Sequence, residues 1–195
     1  MAGERLPAAT RRELLLDVAR DLLLDAGEAA ITFGAVAERA EVTRALVYKH
    51  FENRDDLILQ LQRRESQRVD RELSDIVVKT PGGFESKLRA LVYALVASTD
   101  RWDALFAPLQ GTTPRRGGRR VQRRRDRRAV KYFTQLAIDD LGVRPADASR
   151  SISMLLGGID PLLAMVVPET TDAERRRYAD LYVALVISAL ASLRD

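Results

Sequence analysis

The stretch Thr32–Phe51, TFGAVAERAEVTRALVYKHF, is where the fold of this chain can first be read. Apolar residues at Phe33, Val36, Ala37 and Ala40 recur at helical spacing behind Thr32. Glu41 breaks the run, and a second one opens at Thr43 and carries Leu46, Tyr48 and Phe51. This spacing predicts two short helices joined by a tight turn. Thr32 and Thr43 stand where an N-cap hydroxyl accepts a hydrogen bond from an otherwise unpaired first-turn amide. At about 100° per residue, Val42 and Leu46 point to one side of the second helix and Arg44 and Tyr48 to the other, with Ala45, Val47 and Lys49 on the flanks. One face anchors the helix and the other is left for a partner. Small residues in the middle of that outer face admit it to the floor of a groove, and the Tyr48-Lys49-His50 donors at its end reach phosphates on the wall.

Upstream, Thr10-Arg11-Arg12-Glu13 has the spacing of a capping box. The helix it would open buries Leu14, Leu15, Val18, Leu22 and Leu23 and stops at Gly27, a C-terminal cap. Downstream, Asn53 caps a helix whose first turn carries Asp55 and Asp56, favourable at the positive end of the helix dipole. That helix runs toward Val78, where Pro81-Gly82-Gly83 ends it. Further helices are predicted at about residues 84–99, 101–109, 118–141, 146–167 and 172–193. Gly111–Gly118 reads as a loop, and Gly157-Gly158 with Pro161 predicts a bend inside the fourth of these helices. Thr171-Asp172-Ala173-Glu174 is a second capping box. Alternating apolar stretches are scarce, so the class is all-α.

Composition narrows the chemistry. The 195 residues hold no cysteine, which removes disulfides, thiolate metal sites and thiol nucleophiles, and a single histidine, His50. Serine-histidine catalysis would need that residue and a histidine metal site would need more. No enzyme, metal or cofactor is therefore expected, with carboxylate-only catalysis left formally open. No run of 18 apolar residues and no signal-like N-terminal segment occur, so a soluble, cytoplasmic protein with no membrane partner is expected. The net charge of +4 is unevenly spread. Arg115–Lys131 holds ten basic residues against Asp126, a local +9 that leaves −5 for the rest of the chain. The first 70 residues hold eleven Lys or Arg and thirteen Asp or Glu. Any DNA contact there depends on locally placed cations rather than on a uniformly basic surface.

The order T-x-x-x-V-A-x-x-A-x-V-T-x-x-x-x-Y-x-H-F, met by Thr32, Val36, Ala37, Ala40, Val42, Thr43, Tyr48, His50 and Phe51, resembles the N-terminal domain of the TetR family of transcriptional regulators. Asn53-Arg54-Asp55-Asp56-Leu57 resembles the start of that family's fourth helix. The resemblance spans about residues 10–60. It departs from the pattern at Glu41, where the family usually has the turn's glycine, and at Arg54, usually lysine. It implies an N-terminal three-helix helix-turn-helix domain, residues 1–54 with the motif at 32–51, followed by a larger helical effector-binding and dimerisation domain, residues 55–195.

For DNA, Arg44 is expected at a base edge or nearby phosphate, Ala45 and Val47 against base edges, and Thr32, Thr43, Tyr48, Lys49, His50 and Arg54 on backbone phosphates. His50 could instead cap the helix end, and Arg11 and Arg12 are as compatible with plain solvation as with phosphate contact. The resemblance further implies a cavity for a small, largely apolar effector. Its candidate lining is Tyr93, Trp102, Phe106, Leu109, Phe133, Leu136 and Met154, although such a stripe serves equally as core. Residues 146–193 form either a buried core hairpin or half of a homodimer interface. The resemblance favours the homodimer, which would set two reading helices on a palindromic double-stranded operator. The basic segment Arg115–Lys131 admits a solvated helix start, an anionic-effector site or an accessory nucleic-acid contact. The expected function is a repressor released from its operator by the effector. The alternative is a non-catalytic carrier or sequestering protein for an apolar metabolite.

Overall fold

The computed structural model describes residues 7–106 and 115–194, with side chains at all of these except 103 and 115–126. Leu109, a candidate for the effector cavity, lies outside the described residues, as do most side chains of the basic segment. The helices are α1 (Ala8–Ala26), α2 (Phe33–Arg39), α3 (Arg44–His50), α4 (Arg54–Lys79), α5 (Phe84–Ala97), α6 (Thr99–Phe106), α7 (Arg115–Leu141), α8 (Pro145–Gly157), α9 (Ile159–Ala164) and α10 (Asp172–Ala191). A short 3-10 turn, Glu28–Ala30, separates α1 from α2. The described residues form no β-strand, only an isolated bridge between Val143 and Arg194, and the all-α class holds. None of their helices is long and apolar enough to cross a membrane.

The chain divides into two compact units. The first takes residues up to Arg68 together with residues 101–106, and the second takes Val69–Asp100 and residues 115–194. The first unit thus extends well past residue 54. Leu57, Ile58 and Leu61 on α4 are fully buried with Leu15, Leu16, Val36, Val47 and Phe51, and Leu105 joins the same cluster. Each fully buried aliphatic or aromatic side chain of this kind contributes about 1.5–3 kcal/mol. Polar groups tie α4 to α1 as well. The buried Arg64 donates to the Glu13 carbonyl at 3.1 Å and pairs with Asp17 at 3.1 Å and Glu65 at 2.7 Å.

Of the helix-opening caps read from the sequence, the one at Thr10 does not form. Thr10 lies inside α1, which opens after Pro7 with no side-chain cap. Proline fixes φ near its helical value one residue before the helix starts, so the Thr10-Glu13 pair is not needed there. α1 turns Leu16 inward rather than Leu14, which is 40% exposed. Gly27 closes α1 at φ 77°, its N–H bonded to the Leu23 carbonyl.

In the second unit, α10 packs on α5 and α7 on α8 around Phe84, Leu88, Val92, Phe133, Ile152, Val183 and Val186. The expected bend is present as a break, with α8 ending at Gly157 and α9 starting at Ile159. Gly158 is hemmed in by the Tyr182 ring, whose Cε2 would lie 3.2 Å from an added Cβ. The Tyr182 hydroxyl donates to the Leu155 carbonyl at this joint, and burial pushes its phenol up to about 12. The α4–α5 corner is held by Lys87, whose ammonium donates to the carbonyls of Val77 at 3.0 Å and Thr80 at 2.8 Å. Opposite, Asp140 accepts the Phe84 N–H at 2.8 Å. Arg175, 8% exposed, donates to the Val96 and Thr170 carbonyls and to both carboxylate oxygens of Asp100. The Thr171–Glu174 capping box forms as the sequence predicts.

Candidate nucleic-acid interface

Two capped helices build the site. Thr32 Oγ1 accepts the Ala35 N–H at 3.1 Å and Thr43 Oγ1 accepts the Leu46 N–H at 3.3 Å. Both threonines are exposed, so each hydroxyl caps its helix from the solvent side. Between the helices, Glu41 takes φ 53°, the left-handed conformation the family pattern meets with glycine. Its amide bonds to the Glu38 carbonyl at 3.1 Å, and the Val42 amide bonds to the Ala37 carbonyl at 2.9 Å. A β-carbon at that φ costs about 1–2 kcal/mol. Glu41→Gly removes the strain but loosens the unfolded chain, which offsets roughly 0.5–1 kcal/mol. A net gain of up to about 1 kcal/mol is expected, read as a raised urea midpoint with unchanged slope.

On α3, Arg44, Ala45, Tyr48 and Lys49 are exposed and span one arc of the helix. Tyr48 is 62% exposed, its ring set edge-on against Phe33 with centroids 4.7 Å apart. That contact holds an aromatic outward while keeping its base on the core. The Arg44 guanidinium lies over Gly34 of α2, where an added Cβ would come within 2.8 Å of Nη2. A side chain at position 34 would push Arg44 aside, a constraint that sequence inspection missed.

Two expected contacts need correction. Val47 is fully buried at 0% exposure and packs with Val36, Leu15 and Phe51, so it has no surface to offer a base. The inner face of α3 is centred nearer Val47 than the Val42–Leu46 line implies. Arg54 is half-buried and committed elsewhere. Its Nε donates to the Ile31 carbonyl at 2.8 Å, and Nη2 donates to the Glu28 carbonyl at 2.7 Å and to Glu28 Oε1 at 3.1 Å. It locks the loop before α2 to the start of α4 instead of facing a phosphate.

The far end of α3 meets the start of α1. The Arg12 guanidinium sits 5.8 Å from the Phe51 ring centroid, within cation–π reach. His50 lies near Arg11, Arg12 and Lys49. Burial first, and then these three cations, hold its imidazole below the ordinary 6.5. His50 is therefore neutral around pH 7 in the free protein. Because the folded value is lowered, its contribution to stability is fully present above about pH 6.5 and is lost as pH falls through the folded value. Urea midpoints measured from pH 7.5 to 5 should fall less steeply in His50→Gln than in the parent chain. The cations at this end extend the exposed arc of α3 along α1 with Arg11 and Arg12.

The described effector candidates divide between the two units, Trp102 and Phe106 in the first and Tyr93, Phe133, Leu136 and Met154 in the second. Phe133 is 2% exposed and packed against Phe84 in the core of the second unit, with Leu136 partly buried beside it. Met154 is 79% exposed, too open for an interior lining. Phe106 packs on the core of the first unit. Trp102, in that same unit, has a buried Nε1 with no hydrogen-bond partner among the described residues. Tyr93 lines an open groove of about 610 Å³ with Glu85, Ser86, Arg89 and Ala90, and its hydroxyl donates to Asp180 at 2.9 Å. No group of three or more metal-ligating side chains occurs among the described residues.

Residues 15–61 match the family model described as bacterial regulatory proteins, tetR family. That interval begins at the first fully buried residue of α1 and ends at Leu61, the last residue of α4 in the core of the first unit. The whole chain is 28% identical to an uncharacterized HTH-type transcriptional regulator of Mycobacterium tuberculosis, over 96% of that protein's length. Among solved structures, a TetR-like transcriptional regulator from Rhodococcus superposes with a TM-score of 0.65 at 22% identity, covering 96% of this chain and 99% of the other. FadR from Bacillus subtilis in complex with stearoyl-CoA superposes with a TM-score of 0.66 at 14% identity, covering 90% of this chain and 97% of the other. With the capped α2–α3 pair, its outward Arg44–Lys49 face and the matched interval in agreement, residues 15–61 form a helix-turn-helix domain of the tetR type, and the chain over its whole length is similar to DNA-binding transcriptional regulators of that family.

Proposed function

We propose that this regulator is a repressor that binds a palindromic operator as a homodimer and is released by a small, largely apolar effector. The observation that carries the DNA part is the exposed arc of Arg44, Ala45, Tyr48 and Lys49 on a helix anchored from behind by Val47 and Phe51. Arg44 and Ala45 enter the major groove, while Tyr48, Lys49, His50 and the Thr32 and Thr43 hydroxyls meet the phosphates.

The dimer rests on an apolar surface within residues 146–193. Leu181 and Leu185 are 58% and 61% exposed, one turn apart on the side of α10 away from Val183 and Val186, and Met154 is exposed on α8. Isolated exposed leucines are ordinary, but a pair at i and i+4 on a helix whose other side is also apolar fits a helix-to-helix interface. A twofold partner would place two copies of α3 about 34 Å apart, one helical turn of DNA. Effector binding then lowers operator affinity by its differential affinity for the two dimer geometries. The acyl-CoA complex of the FadR relative supports a ligand with a long apolar part.

A salt-titrated binding assay on palindrome-containing DNA beside the gene tests this, with sedimentation run in parallel. The expected result is a specific complex with a steep salt slope and a sedimenting dimer. Leu181→Glu combined with Leu185→Glu should give a monomer that binds the operator at least 100-fold more weakly. Stearoyl-CoA serves as the effector probe. A carrier protein would show weak, sequence-blind DNA binding that the glutamates leave unchanged.

A further inference from the structure

The Arg-rich segment is not absorbed by the DNA-binding arc, and its described end borders a groove of about 360 Å³ between α7 and α8. Arg127 and Lys131 on α7 line it one turn apart, and Ser149 and Ser153 on α8 line it at the same spacing. Thr134 completes the α7 side. Its Oγ1 is buried without a hydrogen-bond partner among the described residues. Val130 is the apolar part of the lining, and Gln135 continues the α7 stripe, its amide donating to Asp139 one turn further on at 2.9 Å. No carboxylate lines the groove, and neither Arg127 nor Lys131 is paired with one among the described residues. The lining therefore offers two cations and three hydroxyls, an environment that favours an anion with several acceptor oxygens.

We propose that the α7/α8 groove binds a small phosphate-bearing molecule, with Arg127 and Lys131 supplying charge and Ser149, Ser153 and Thr134 supplying hydroxyl donors. A turn of helix rises about 5.4 Å, so each helix presents two donors at a spacing that suits a phosphate or diphosphate group lying between them. Along α8, Met154 follows Ser153 by about 100° of rotation, so the groove opens on a flank distinct from the exposed apolar face. The groove lies in the second unit and the DNA-binding arc in the first, so loss of the groove should leave operator recognition in place.

The test is calorimetric titration of the full chain with inorganic phosphate and with pyrophosphate, at constant ionic strength set with chloride. Saturable binding is expected, tighter for pyrophosphate. Lys131→Gln, and separately Ser149→Ala with Ser153→Ala, should each weaken it at least fivefold. Arg176→Gln with Arg177→Gln, which removes exposed cations of α10, should not. The serine pair leaves charge unaltered, and all these side chains are exposed, so each variant should melt like the parent. Equal losses in the α10 control, no loss in either groove variant, or no binding beyond that of chloride overturns the proposal. So does a result in which the groove variants weaken duplex DNA binding while pyrophosphate fails to bind, because the groove would then be a nucleic-acid contact.

Discussion

Replacing Arg44 and Tyr48 together with alanine should reduce operator affinity on the order of 100-fold, and each single change on the order of 10-fold. Arg44 carries the base-edge part of that loss. Its guanidinium stands exposed over Gly34 with no carboxylate partner among the described residues. An unpaired exposed cation gives up little solvation beyond what a guanine edge or phosphate restores. Tyr48 carries the positioning part, because the Phe33 contact limits where its hydroxyl can point. Losing that aromatic contact also costs about 0.5–1.5 kcal/mol of stability, so Tyr48→Ala should lower the urea midpoint slightly while Arg44→Ala leaves it unchanged. Lys49→Ala should act differently, weakening all DNA sequences alike and reducing the salt slope by about one. Filter binding on operator and scrambled duplex at three salt concentrations separates the roles. If Arg44→Ala weakens scrambled and operator DNA equally, Arg44 contacts only the backbone.

What the sequence made legible and what it did not divide along a physical line. The caps at Thr32, Thr43 and Thr171, the glycine stop at Gly27 and the break at Gly158 depend on neighbours within a few residues, and all were readable in advance. Glu41 was marked only by the family resemblance, whose pattern usually has glycine at the turn. Residues whose role depends on distant partners were not readable. Arg54 reads as a free flanking cation until the Ile31 and Glu28 carbonyls, more than twenty residues earlier, are placed against it. Arg64 and Arg175 look like solvated helix charges, yet each is buried and donates to a carbonyl of another helix, Glu13 on α1 and Val96 on α5. Val47 failed on a narrower point. A seven-residue helix with apolar residues at 46 and 47 gives two nearly equivalent choices of inner face, and only the packing of Val36 and Phe51 decides between them. The aromatic stripe failed because periodicity marks a residue as inward without distinguishing a filled core from a cavity wall.

Phe133 is where that ambiguity has the largest measurable consequence. Phe133→Ala should destabilise the chain by about 3–5 kcal/mol, the cost of an aromatic deletion in a core that cannot collapse around the gap. The ring is 2% exposed, meets Phe84 in a T-shaped contact at 5.6 Å and is flanked by Tyr132 at the same distance. The Phe84 main chain is tied to α7 by its N–H bond to Asp140, which limits how far that backbone can shift toward the vacancy. Were Phe133 instead the wall of an effector cavity, its loss would enlarge an existing space, destabilise by only about 1 kcal/mol and change effector response. Urea unfolding at fixed protein concentration distinguishes the outcomes, the concentration being held because dimerisation adds to apparent stability. Met154→Ala is the internal control. At 79% exposure its monomer has little to lose, so any destabilisation should appear only at concentrations where the chain is dimeric.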